Sequence, residues 1–346
     1  MSVPGMQRMR RLANRLRGRG RAGGVILMYH RIAELDDDPW GLAVSPAHFA
    51  EHLAVLRRHT AMALPDVVQA LGRGTPPRGA VVVTFDDGYA DNVETALPLL
   101  KQQRIPATVF LTTGAIDARR EFWWDELARV LLEAGPLPGM LELRRGDWIY
   151  QQALDADAMA GVGVTGHRSW RAWEEPPTVR HRMYYELWQR LYPLAHDRRQ
   201  ALLDDLLEWA GLEPRMRRTH RLVSLAEAQQ LAQESLIEIG AHTVTHPPLT
   251  TLDPVARDRE LQKSKRVLEE MVRREVSSFA YPHGDHNTAT VSAVRAAGFT
   301  AACTTAAATL SAASALLTLP RYQVLDWSGD ELSARLQTWQ RAHGVA

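Results

Sequence analysis

The stretch "TFDDG" (residues 84–88) sets two carboxylates, Asp86 and Asp87, side by side directly after the β-branched run "VVVT". Two adjacent ionised carboxylates repel, so the pair needs a compensating cation or a proton. A divalent ion would supply the cation, and neighbouring side chains cannot aim equally well at one point. One carboxylate can then bind a metal while the other faces a substrate. A second stretch, "IGAHTVTHPP" (239–248), offers His242 and His246 four residues apart. In a helical turn that spacing puts both rings on one face. Two imidazoles and one carboxylate make an ordinary zinc or related divalent site with positions open to water. Gly88 suits a tight exit from a strand.

Both stretches follow runs with strand character, and such runs recur. Residues 24–30, 80–85, 107–113, 236–242, 276–282, 299–305 and 319–325 read as strands. Helical patterns alternate with them at 45–59, 64–71, 90–103, 224–235, 253–272 and 287–298, and a final helix ends the chain. Ser45 before Pro46, and Asp253 before Pro254, are helix-start signals. Repeated β–α units predict an α/β fold with a parallel sheet or barrel and helices outside. In such folds the loops after the strand ends carry the chemistry.

Residues 114–223 break this rhythm. They contain helical patterns and a hairpin-like "ELRRGDWIYQ" around Gly146. The expectation is an inserted, mainly helical subdomain beside the strand ends. Seven of the ten tryptophans lie there, and Trp123 and Trp124 of "FWWDEL" follow closely on the third strand. Those two are candidates for contact with a substrate or with the barrel.

"TFDDG", "HTVTH" and "FAYPHG" (279–284), in this order, resemble the first three motifs of the polysaccharide deacetylase family, also called NodB-homology or carbohydrate esterase family 4. The similar portion covers 24–113 and 224–327. The resemblance implies a distorted (β/α)7 barrel and metal-dependent hydrolysis of N-acetyl groups from sugars. It implies Asp86 as the catalytic base and Asp87, His242 and His246 as ligands of one divalent metal ion. Zn2+ is the expected ion, with Co2+, Ni2+ or Mn2+ as alternatives. The third motif departs from the family's commoner form, since Ala280 stands at the position of its arginine and His283 at that of its tyrosine. The oxyanion role implied there needs only a main-chain N–H, so the run Tyr281, Pro282, His283 can still serve. The arginine role is vacant, and Arg321 of "LPRY" is the candidate replacement. "ILMYHR" (26–31) resembles the Leu-x-Tyr-His start of the circularly permuted branch, which implies His30 as general acid. In "DWSGDEL" (326–332), Asp326 is expected to add a supporting carboxylate and Asp330 to cap the last helix.

Composition narrows the rest. Lys and Arg number 41 against 40 acidic residues, so no overall field steers the chain to nucleic acid. The single Cys303 excludes a disulfide framework. No apolar run approaches the roughly 18 to 20 residues that span a bilayer. The basic start lacks a following apolar segment, so the reading is cytoplasmic. Seven arginines between Arg8 and Arg21 read as a solvated tail over 1–22, or as an amphipathic helix making peripheral contact with the inner membrane face. The barrel then spans 23–346, interrupted by 114–223. The expected partner is an acetamido sugar, nucleotide-linked, lipid-linked or part of an oligosaccharide. Rival readings are a deformylase or amidase on a lipid-linked sugar, and an inactive carbohydrate-binding protein on the same fold.

Overall fold

The computed structural model describes residues 23–75, 78–133 and 135–341. The arginine-rich segment 1–22, with its expected lipid contact, lies outside the described residues.

Seven strands form one curled parallel sheet: β1 (Val25–Tyr29), β2 (Ala80–Phe85), β3 (Ala107–Leu111), β4 (Ile237–Ala241), β5 (Ser278–Ala280), β6 (Ala301–Cys303) and β7 (Tyr322–Gln323). Their order is β6-β5-β4-β3-β2-β1-β7, and Thr60–Ala61 adds a short strand beside the start of β2. Among the described residues the two edges are joined by one bridge, Cys303 to Leu319, and by the Arg321 N–H, which donates to the Ala306 carbonyl. The result is the expected distorted (β/α)7 barrel, nearly open at that seam.

Why the strands read as unbroken apolar runs is clear from their two faces, since helix-covered parallel sheets bury both. Leu27, Tyr29, Val83 and Phe85 pack outward with Phe49, Leu53 and Leu56 of α1 (Pro46–Leu56). Ile26, Val82, Phe110, Ala280 and Cys303 alternate with them and fill the inside, joined by Leu64, Val67 and Leu71 of the helix Leu64–Gly72. The register aligns the strand ends. Tyr29 pairs with Phe85, Leu111 with Ala241, and Ala241 with Phe279. The residues that follow these ends therefore share one rim.

The helix-start signals act as expected at Ser45 and Asp253, whose side chains accept from the N–H groups of His48 and Ala256. Two expectations change. The helix at 90–103 opens with a π-turn, Asn92–Ala96, before Leu97–Gln103. The last helix, Gly329–Arg341, is capped by Ser328 and not Asp330: Ser328 and Glu331 exchange hydrogen bonds at 2.9 and 3.3 Å.

Between β3 and β4 lie α2 (Trp123–Leu132), α3 (Val179–Leu191) and α4 (His196–Trp209), with a hairpin, Met140–Arg145 and Trp148–Ala153, turning at Gly146. These helices share a second core that includes Leu127, Leu131, Leu187, Leu203 and Leu206. It meets the barrel rim directly: the N–H of Ala90 donates to Arg221 and that of Val223 to Gly88. Among the described residues, no helix is long and apolar enough to cross a membrane.

Candidate active site

Strand parity alone would send Asp86 inward with Thr84 and turn Asp87 away. The backbone breaks the alternation, because Asp87 adopts φ 75° and Gly88 φ 93°. Both carboxylates then remain on the rim, and both are buried. A Cβ on Gly88 would come within 2.9 Å of the Leu111 side chain, so this exit tolerates only glycine in the left-handed region.

His242 follows β4 immediately, and its Nδ1–H donates to the Ala280 carbonyl at 2.8 Å. That bond fixes the tautomer and leaves Nε2 as a bare lone pair. The expected helical turn between the two histidines is absent. Thr243 and His246 have φ 65° and 56°, which no right-handed helix contains. The loop is folded instead by Glu260, which accepts from the N–H groups of Val244 and Thr245 at 2.7 and 2.9 Å. His246 swings back so that its Nε2 lies 3.1 Å from that of His242. Asp87 Oδ1 is 3.4 and 3.3 Å from these two nitrogens. The three ligand atoms all lie within 4.8 Å of one another, at buried side chains. Asp87 Oδ1 has no hydrogen-bond donor of its own. This donor set, one anionic oxygen and two imidazole nitrogens, fits a divalent ion. Burial would raise the Asp87 carboxyl, but the adjacent imidazoles outweigh it and hold the group well below the ordinary carboxylate range.

Asp86 takes a different environment. Arg321, just before β7, enters the barrel and grips both carboxylate oxygens, Nη1 to Oδ1 at 2.7 Å and Nη2 to Oδ2 at 2.6 Å. The same guanidinium donates to Thr84 Oγ1 and to the Thr304 carbonyl. Burial pushes the Asp86 carboxyl up, yet the charge of Arg321 and then of His242 leaves it below the usual value. Asp86 is therefore ionised and rotationally locked, with one lone pair free on each oxygen.

The remaining sequence candidates separate. His30, directly after β1, lines the same cleft of about 280 Å3 as Asp86, Asp87, His242, His246 and His283. Asn92, in the π-turn, donates to the His30 carbonyl at 2.8 Å and so holds that strand end. His283 has φ 57° and brings its ring into the site, with its centroid 4.5 Å from that of His246. Tyr281 and Pro282 are buried behind it, and the Tyr281 hydroxyl donates to the Leu317 carbonyl, away from the cleft. Asp326 is not a site carboxylate. It accepts from Ser45 and from His48 Nδ1 at 2.7 Å, tying the loop after β7 to the start of α1.

Trp124 and Trp123 part company because successive helical residues point about 100° apart. Trp124 lines the cleft, 4.9 Å from the His246 ring between centroids. Trp123 is turned into a neighbouring cavity and out of this cleft. Trp188 and Trp40 complete the aromatic wall, 4.4 Å apart. Trp188 came to notice in the sequence only as one of seven tryptophans. Trp40 carried no signal there, because nothing local marks a loop residue that packs across the fold.

Trp124 is held by a buried relay. Its indole N–H donates to the Tyr89 hydroxyl at 3.0 Å, which donates to Asp125 at 2.7 Å. Burial pushes the Asp125 carboxyl up to about 7, with Arg31 and the Tyr89 hydroxyl opposing. An acid with a raised folded pKa keeps a proton that the unfolded chain releases, so stability falls as pH rises from about 4 toward 7, by at most about 1.4 kcal/mol per unit. Asp125→Asn keeps an acceptor for Tyr89 and removes the ionisation. Urea denaturation at pH 5 and 7 is expected to show the wild type losing about 1–2 kcal/mol relative to the variant. Parallel pH profiles would contradict it.

A family model described as polysaccharide deacetylase matches residues 73–136 and 216–302, the segments that carry Asp86, Asp87, His242, His246 and His283. A putative polysaccharide deacetylase, YxkH, of Bacillus subtilis (strain 168) is 30% identical over 105 residues. That match covers 30% of this chain and spans only 36% of the curated relative's length. The solved Streptococcus pyogenes deacetylase PplD, in complex with acetate, superposes with a TM-score of 0.56 at 20% identity, over 92% of this chain and 99% of that one. IcaB from Ammonifex degensii gives 0.55 at 18% identity, over 91% and 97%. At these identities the two structures establish the likeness of fold.

Proposed function

Because residues 73–136 and 216–302 match the polysaccharide deacetylase family model, we propose that the chain hydrolyses the N-acetyl group of an amino sugar or polysaccharide precursor and releases acetate. The observation that carries this reading is the convergence of Asp87 Oδ1, His242 Nε2 and His246 Nε2 beside an Asp86 locked by Arg321. Asp87, His242 and His246 would hold one divalent ion, with Zn2+ the best match to a nitrogen-rich set. When bound, it supplies Lewis acidity toward the acyl carbonyl and lowers the pKa of water.

The chain's own groups do the rest. Asp86 removes a proton from the attacking water, using a lone pair that Arg321 leaves free. Water oxygen bonds to the acyl carbon, and the main-chain N–H of His283 faces the oxygen that gains charge. The C–N bond then breaks, and His30 donates the proton that the leaving nitrogen needs. Acetate and an amino sugar result. Trp124, Trp188 and Trp40 offer flat apolar faces to the sugar ring. Residues 114–223 act on this reading as the unit that builds this wall, since they contribute both Trp124 and Trp188.

The test is acetate release from acetamido sugars, free, nucleotide-linked and oligomeric, by zinc-loaded protein, together with metal content by mass spectrometry. One equivalent of bound ion and acetate production are expected, with at least a hundredfold loss of both metal affinity and turnover in His242→Ala. Formate release from a formylated sugar, with no acetate, would replace the reading by a deformylase. Full turnover without bound ion would end it.

A further inference from the structure

Behind Trp123, on the far side of the metal-ligand loop, lies a second cavity of about 530 Å3. Its walls include Thr112, Gly114, Val244 and Thr245 from the barrel, and Arg199 and Gln200 from α4. Arg199 is the feature that stands out. Its side chain is only 2% exposed, and its Nη1 is buried without a hydrogen-bond acceptor. The guanidinium lies 4.9 Å from the Trp123 ring centroid, and no carboxylate among the described residues pairs with it. Burying an ion without a partner costs several kcal/mol, and burial pushes this group down to about 10.

The nearby acids are already engaged. Glu121 is paired with Arg217, and Glu126 and Asp204 are both taken by Arg120. Glu260 acts on Arg199 only through space, since its oxygens serve Val244 and Thr245. Arg119, exposed on the same cavity, has no ion pair among the described residues. The first turn of α4 adds backbone N–H groups that Ala195 at its N-cap leaves uncapped, with the exposed Asp197 of the same turn offsetting part of their positive charge. Surplus positive charge, free donors and room for a ligand coincide in one place.

We propose that this cavity is a binding site for a phosphoryl anion, a phosphate or diphosphate group, with Arg199 as its principal anchor and Arg119 at its entrance. A guanidinium presents a planar fork that matches phosphate oxygens, and an anion there pairs the Arg199 charge that the fold leaves without a carboxylate. The site is separate from the proposed hydrolytic chemistry, and it stands whether or not the chain releases acetate. Nucleoside diphosphates and lipid-linked phosphates carry the same group, so the assay must tell them apart.

Isothermal titration calorimetry of the full chain with inorganic pyrophosphate is the primary test, repeated with uridine diphosphate and with vesicles containing a polyprenyl phosphate. Each titration is repeated on metal-free His242→Ala protein, so that binding at the metal centre is not counted. Binding is expected in the wild type and in His242→Ala, with at least a tenfold rise in Kd in Arg199→Met and a smaller rise in Arg119→Ala. The tightest of the three ligands identifies the source. Arg199→Met keeps the packing on Trp123 and removes a buried charge, so its Tm should equal or exceed that of the wild type. Arg199→Lys retains a cation and should bind more tightly than Arg199→Met. Absence of binding by all three ligands, or equal affinity in wild type and Arg199→Met, would overturn the proposal.

Discussion

Asp86→Asn is expected to lower turnover by about 10³–10⁴-fold, the upper range for loss of a general base, while one divalent ion stays bound. The variant preserves the shape of the side chain and one acceptor for Arg321. Among the described residues that line the cleft, it removes the one carboxylate that the three-ligand cluster leaves free. The ligands Asp87, His242 and His246 are untouched, so metal content separates loss of the base from loss of the ion. A second consequence is a drop in stability, since Arg321 keeps its charge in a buried place without an anion. Turnover, metal content and Tm measured together decide it. An Asp86→Asn protein that retains wild-type activity would refute the assignment of the base.

Arg321→Met is expected to destabilise the fold by about 3–5 kcal/mol, the cost of leaving one member of a buried ion pair alone. Arg321 is fully buried and touches three separate barrel elements, at Thr84, Asp86 and Thr304. Methionine fills most of the volume, so the loss is electrostatic more than a cavity. Turnover falls too, because an unpaired Asp86 takes up a proton more readily and loses its fixed orientation. The double variant Asp86→Asn, Arg321→Met removes both charges and should recover part of the lost stability. Urea denaturation of the four proteins gives the coupling directly. Strict additivity of the two single losses would show that the pair is not energetically joined.

Much of the barrel was legible along the chain because its signals are local. β-branched runs, a serine before a proline, and an aspartate before another proline each act within a few residues. The ligand set was legible for the same reason, as short motifs placed at strand ends. Arg321 could only be a candidate, since its partner lies 235 residues away. Asp326 misled, because an acidic residue next to a late strand looks alike whether it faces a cleft or ties its loop to Ser45 and His48 at the start of α1. The histidine spacing suggested a helical turn. A loop with two left-handed residues, pinned by Glu260, reaches the same convergence.

What the sequence determined alone is the chemistry on offer: which strand ends carry carboxylates and imidazoles, and that helices must cover the outside of the sheet. Tertiary structure decided how that chemistry is aimed. The φ of Asp87 keeps both acids on the rim, Arg321 sorts the base from the ligand, and α2 turns Trp124 toward the site and Trp123 away. The reason is physical. Periodicity and capping depend on neighbours in the chain, whereas burial, charge pairing and an unpaired cation such as Arg199 depend on neighbours in space.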